Sequence, residues 1–395
     1  MTPATKLPID QIVKLHELGQ SLWLDNIRRE LITSGELARL RDSGVTGVTS
    51  NPTIFEKAVS GSTDYDEALA QLVQQGLKPK EILWELMVAD IQMAADVFRP
   101  VYNDTGGADG YVSIEVSPDV ADSPERTIAM AEDLRQRCNR PNVMVKIPAT
   151  KAGIPAIRDQ IAKGHNINVT LIFSVDRYLE VVEAFISGLE ELRRRGGDLD
   201  RVASVASFFV SRVDTKVDRL LQARIDSAHE LKEKESLASL LGKAGIANSK
   251  VAYQHFQELH SGPRWESLAK AGARVQRCLW ASTSVKDSRY ADTMYVDELI
   301  GPNTINTVPN RTLEAFVDHG NVRRTVDKHL DSANRHLEEL AKLGIDLDGV
   351  TSELEVEGVE AFEKSYESLT QVLGQAAHAL QTGQPAGKTG SKGRL

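Results

Sequence analysis

Eight short apolar runs, each followed by a stretch with helical spacing, constrain this chain more than any other feature. They lie at residues 21–25, 45–52, 110–116, 143–147, 167–173, 203–210, 277–283 and 304–309, and most are rich in Val, Ile, Leu or aromatic residues. Runs of this length and composition read as buried strands, and strands that alternate with helices build parallel sheets. Eight of them match the closure of a (β/α)8 barrel, the TIM barrel of the α/β class. A doubly wound open sheet competes, but no Gly-x-Gly-x-x-Gly turn follows any run.

Between the runs the spacing predicts an amphipathic segment at 9–18, a helix over 27–43 closing at Gly44, and a long helical region over 53–105 with a start at Lys78-Pro79-Lys80-Glu81. Ser123-Pro124-Glu125 opens a helix running to about Cys138, residues 151–164 form another, and Ser174 is placed to cap the one after the fifth run. Residues 310–375 are again helical in pattern. The organisation expected is a single barrel domain over residues 1–380, with helical insertions at about 53–109 and 214–272. Residues 381–395 are Gly-, Lys- and Gln-rich without apolar period and read as a disordered tail.

Composition narrows the function classes. Of 395 residues, 41% are apolar and 26% charged, enough for a full core in an ordinary soluble protein. A net charge of −9 argues against a general nucleic-acid binder, while leaving room for a local cluster of cations around an anionic substrate. Cys138 and Cys278 stand far apart and outside any Cys-x-x-Cys pattern, which points to a reducing compartment with neither disulfide framework nor zinc site. With no apolar leader and no run of about 18 apolar residues, the chain is expected to be cytoplasmic and free of membrane.

The fourth run carries a lysine, Lys146, where an apolar residue belongs. Burying an ammonium is costly unless it is paired or deprotonated, and burial lowers a lysine's pKa. Two readings are open: the side chain snorkels or pairs with a carboxylate, or it is an amine poised to attack a carbonyl. Neighbouring strand ends favour the second, because a barrel of this kind gathers its site at the C-terminal ends of its strands. Asp25, Thr49 and Asn51, Glu115, Asn168 and Thr170, Ser207 with Arg212 shortly after, and Ser282 all fall there.

These groups suit a Schiff-base aldol reaction. Lys146 attacks a ketose carbonyl, and Asp25 and Glu115 are the carboxylates available for proton transfer. Asn51, Asn168, Thr49 and Thr170 are suited to bind substrate hydroxyls or a catalytic water. Arg212 and Ser282, with Lys286, are candidates for a phosphate site.

Four segments carry a family resemblance: Val-Thr-Ser-Asn-Pro-Thr (48–53), Val-Lys-Ile-Pro-Ala-Thr (145–150), Asn-Val-Thr-Leu-Ile-Phe-Ser (168–174) and Ser-Phe-Phe-Val-Ser-Arg-Val-Asp (207–214). Over roughly residues 15–320 the chain resembles the transaldolases, and is similar in length to the longer bacterial ones. The resemblance implies that Lys146 is the Schiff-base lysine, that Asp25 handles the sugar hydroxyl proton, and that Glu115 and Thr170 position the catalytic water. It also implies substrate contacts from Thr49, Asn51, Asn168 and Ser207, and a phosphate site at Arg212 and Ser282. The reaction it implies moves a dihydroxyacetone unit from sedoheptulose 7-phosphate to glyceraldehyde 3-phosphate, without cofactor or metal. Two positions depart from the family pattern: Ser284 stands where a second basic residue is common, leaving Lys286 as the nearest cation, and Ser211 replaces a glycine before Arg212.

Rival readings have their own signatures. A fructose 6-phosphate aldolase, which releases free dihydroxyacetone, tends to carry Gln and Tyr where this chain has Glu115 and Phe209, the latter also expected at the substrate. A non-catalytic sugar-phosphate-binding barrel is the alternative from another class. Gly383 with Gly387-Lys388-Thr389 falls one residue short of a phosphate-binding loop, and His255 and His260 diverge around a helix instead of sharing a metal. Sugar phosphates are thus the expected partners of a chain acting as monomer or homodimer.

Overall fold

The computed structural model describes residues 9–50 and 52–382. Its eight strands are β1 (Gln20–Leu24), β2 (Gly47–Thr49), β3 (Val112–Glu115), β4 (Val143–Pro148), β5 (Ile167–Ile172), β6 (Ser204–Phe209), β7 (Arg277–Ala281) and β8 (Thr304–Val308). All neighbours pair in parallel, and β8 closes on β1 with Gln20 opposite Thr304. The expected (β/α)8 barrel is the observed one. Among the described residues no helix is long and apolar enough to cross a membrane.

Local chemistry sets the connections. Ser123 and Ser174 accept hydrogen bonds from the backbone N–H of Arg126 and Arg177, capping the helices Pro124–Cys138 and Val175–Arg194. Lys78 N donates to Glu81 Oε2 at 2.7 Å, and Pro79 opens the helix Pro79–Asp104. Three expected helices are subdivided. Residues 27–43 form Arg29–Thr33 and Glu36–Asp42, broken at Gly35 with φ 78°. Residues 53–105 form Pro52–Gly61, Asp66–Gln74 and Pro79–Asp104. Residues 310–375 form Asn310–His319, Leu330–Lys342 and Leu347–Thr382, with Gly344 left-handed at the last break. The terminal helix, Leu347–Thr382, includes Gln381 and Thr382, two residues expected in the tail. Residues 383–395, with the Gly-Lys-Thr segment, lie outside the described residues.

Inside the barrel the inward side chains form layers. At the N-terminal end, Arg277 Nη2 donates to Ser21 Oγ at 2.6 Å and to Thr304 O at 2.7 Å, with Asp109 3.6 Å from Nη1. Trp23, Met144, Val205, Leu279 and Ile305 fill the middle. Gly47 makes room for this layer, since a Cβ there would lie 2.6 Å from the Trp23 ring. Lys146 stands two residues beyond Met144 on the same face of β4, so it rises from an apolar floor.

Candidate active site

Strand register assembles the upper layer. Glu115 is opposite Lys146 across β3 and β4, and Lys146 is opposite Asn168 across β4 and β5. Parallel partners share a face, so the three point into the barrel together. Lys146 Nζ lies 2.8 Å from Glu115 Oε2 and donates to Ser50 O at 3.3 Å, with both side chains about nine-tenths buried. The carboxylate pairs with the lysine nitrogen and lies within reach for proton transfer.

Hydrogen bonds fix the surroundings. Thr49 Oγ1 donates to Asp25 Oδ1 at 3.2 Å and lies 2.8 Å from Thr307 Oγ1. Asn168 donates from Nδ2 to Ser113 Oγ at 3.0 Å and accepts at Oδ1 from Ser207 Oγ at 2.7 Å, which locks its amide. Between Val169 and Ile172 the β5–β6 register slips, and Leu171 takes φ 57°. A side chain that would face the outer helices thereby joins Thr170 on the cavity wall.

The phosphate-site candidates gather on the opposite wall. Arg212, on the helix Ser211–Ser227, stacks over the Phe209 ring at 5.3 Å. Burial pushes its guanidinium below the usual arginine range, opposed by the charges of Asp25, Glu357 and Glu115. Ser282, at φ 55°, pairs its hydroxyl with that of Ser211 at 3.0 Å. Ser211 begins the helix and has no need of a glycine's conformational range, so the departure there costs nothing locally. At the other departure, Ser284 accepts a hydrogen bond from Lys286 Nζ, which anchors that cation at the cavity edge.

Together these groups bound a cavity of about 580 Å³ at the C-terminal ends of the strands. Every sequence-predicted site residue lines it except two: Asn168 is fully buried beside the wall, and Asn51 lies outside the described residues. Sequence reasoning missed the Ser50 carbonyl, Thr307 and one whole wall, formed by Gly358, Ala361, Phe362 and Ser365 of the terminal helix. The helical spacing of Val350, Leu354 and Gly358, all buried, is a signal from which an inward face of this helix could have been read, though not which part of the barrel it meets. His260 is buried against Trp265 and Phe256, with burial holding it neutral down to about 4, while His255 pairs with Glu258. No group of His, Cys, Asp and Glu among the described residues is arranged to hold a metal.

A lysine on β4 is thus paired with a carboxylate on β3 inside a closed barrel of eight parallel strands. The model of the Transaldolase/Fructose-6-phosphate aldolase family matches residues 22–373, from β1 into the terminal helix. The chain belongs to that family. Within it, a transaldolase of Saccharopolyspora erythraea is 48% identical over 91% of this chain and 95% of its own length. Transaldolase 2 of Streptomyces coelicolor is also 48% identical, over the same shares. Transaldolase 2 of a Nostoc species is 43% identical over 93% of this chain and 97% of its own. Transaldolase/fructose-6-phosphate aldolase membership therefore extends over the helical segments as well as the strands.

Proposed function

We propose that this chain is a transaldolase, moving a dihydroxyacetone unit from sedoheptulose 7-phosphate to glyceraldehyde 3-phosphate to give erythrose 4-phosphate and fructose 6-phosphate. The observation that carries the proposal is Lys146 Nζ, buried on β4 at 2.8 Å from Glu115. Deprotonated Lys146 attacks the ketose C2 carbonyl, and loss of water, assisted by Glu115 and a water held with Thr170, leaves an iminium. Asp25 takes the C4 hydroxyl proton, the C3–C4 bond breaks, and its electrons pass into the enamine. The enamine carbon then adds to the acceptor aldehyde while Asp25 returns the proton, and water releases the new ketose. Thr49 orients Asp25 through its 3.2 Å hydrogen bond, and Asn168 with Ser207 lines up the substrate's hydroxyls. Arg212 and Ser282 hold the phosphate, with Lys286 as the second cation.

Release of free dihydroxyacetone, the other reaction in the family's name, is less well supported. Glu115 and Phe209 fit the transfer pattern, and the relatives above are named transaldolases. The role fits the pentose phosphate pathway of a cytoplasm, in a monomer or homodimer. Borohydride reduction in the presence of sedoheptulose 7-phosphate is expected to add one donor-derived three-carbon unit to the protein. Lys146→Ala is expected to form no adduct and to lose at least about 10³-fold in turnover, the scale for a removed covalent catalyst. A wild-type protein that traps nothing, or an active Lys146→Ala variant, would end the proposal.

A further inference from the structure

The terminal helix carries a negative charge whose field reaches Arg212. Gly358, Ala361 and Phe362 wall the cavity alongside Arg212, and Glu357 is the residue next to Gly358. Glu357 Oε1 lies 2.7 Å from Lys216 Nζ, which Glu353 also approaches at 2.7 Å. Lys216 follows Arg212 by four residues on the helix Ser211–Ser227, so the two cations stand one turn apart on one face. Three carboxylates oppose the effect of burial on the Arg212 guanidinium, in the order Asp25, Glu357 and Glu115. Asp25 and Glu115 have work at the reacting carbons. Glu357 has none, and its side chain is 59% exposed.

We propose that Glu357 is a built-in counter-anion of the phosphate site, placed by the terminal helix to weaken the grip of Arg212 on the sugar phosphate. The inference rests on the reading of Arg212 as the phosphate ligand and deepens it. Both products of the transfer are phosphorylated, and both must leave. A dianion held by Arg212 and Lys286 without opposition would bind ground states as well as transition states, which lowers KM without raising kcat and delays release. Glu357, whose charge acts on the Arg212 guanidinium, repels that dianion. Because it is largely exposed, its influence is modest and sensitive to salt.

Inorganic phosphate, used as a competitive inhibitor against sedoheptulose 7-phosphate, tests this directly. Glu357→Gln is expected to lower the phosphate Ki by about 2- to 5-fold at low ionic strength, with the donor KM falling in parallel, and the gap should close as salt screens the charge. Glu353→Gln, which leaves Lys216 paired with Glu357, is expected to stay at the wild-type Ki. A wild-type or weaker Ki in Glu357→Gln, or a tightening that persists at high salt and therefore stems from helix packing, overturns the inference. Arg212→Ala separates the two levels. If it abolishes phosphate inhibition while Glu357→Gln changes nothing, only the counter-anion fails. If phosphate inhibits wild type and Arg212→Ala alike, or inhibits neither, the phosphate site itself is misplaced.

Discussion

Lys146 is tolerated in an apolar strand because register, not sequence proximity, supplies its partner. Glu115 comes 31 positions earlier in the chain and reaches Nζ across one strand pair. Beside this site sits a second buried carboxyl with another consequence. Asp214 is 1% exposed, accepts from Gly245 N at 2.7 Å, and burial raises its pKa to about 7. Between the ordinary carboxylate range and pH 7 the folded protein keeps a proton that the unfolded chain has released. Its contribution to stability is therefore fully present below that window and lost as pH rises through 7. Asp214→Asn keeps an acceptor for Gly245 and removes the titration. Urea unfolding at pH 5 and pH 8 is expected to show a shallower pH slope in the variant, by an amount on the order of a few kcal/mol across the window. An unchanged slope would mean that Asp214 titrates normally. At this scale the candidate site residues were readable from sequence because they interrupt, end or closely follow apolar runs. Asn168 was readable as a polar inward position, but not as an amide already engaged by Ser113 and Ser207, which depends on distances between strands.

The terminal helix Leu347–Thr382 is the element that sequence reading placed least well. Its pattern announced a helix, but nothing local announced the barrel mouth as its destination, since that contact joins residues nearly 190 positions apart. Gly358 shows how close the approach is: a Cβ there would lie 3.1 Å from Leu171 Cδ2 and 3.6 Å from Phe173 Cε2. Farther along, Trp84 Nε1 donates to Tyr366 OH at 2.9 Å, tying the same helix to Pro79–Asp104. Gly358→Ala is expected to be near neutral, its helix propensity gain of about 1 kcal/mol offset by the tight contact. Gly358→Leu cannot fit, and is expected to cost about 1–3 kcal/mol by overpacking and to raise the donor KM as the wall shifts. Calorimetry paired with steady-state kinetics checks both; wild-type values for Gly358→Leu would mean that the helix does not lie there. The breaks after Arg29–Thr33 and Leu330–Lys342 have a simpler cause, because Gly35 and Gly344 admit the left-handed turns that end those helices.

Across the whole molecule, the two ends of the barrel interior differ in kind. Its upper layer gathers Lys146, Glu115 and Asn168 beneath the cavity, whereas the lower one is an ionic plug in which Asp109 accepts from Trp23 Nε1 at 2.8 Å and Gly110 N at 2.9 Å and faces Arg277. Removing one partner of a buried pair leaves an uncompensated charge, so Arg277→Met is expected to destabilise the protein by about 3–5 kcal/mol. Its Schiff-base trapping should persist at permissive temperature, because no residue of the cavity wall is touched. A denaturation midpoint equal to wild type would show that the plug is solvated. Barrel closure was legible from eight apolar runs; the plug was not, since Asp109 precedes its strand and reads as an ordinary loop carboxylate. Among the described residues Trp23, Leu279 and Ile305 are fully buried across the middle, so the barrel is a blind well whose doorway is its upper end. An aldose leaving after cleavage and the aldose that replaces it must pass that doorway in turn, so the enzyme has to hold its three-carbon cargo, unshared with water, through the interval in which the well changes occupants.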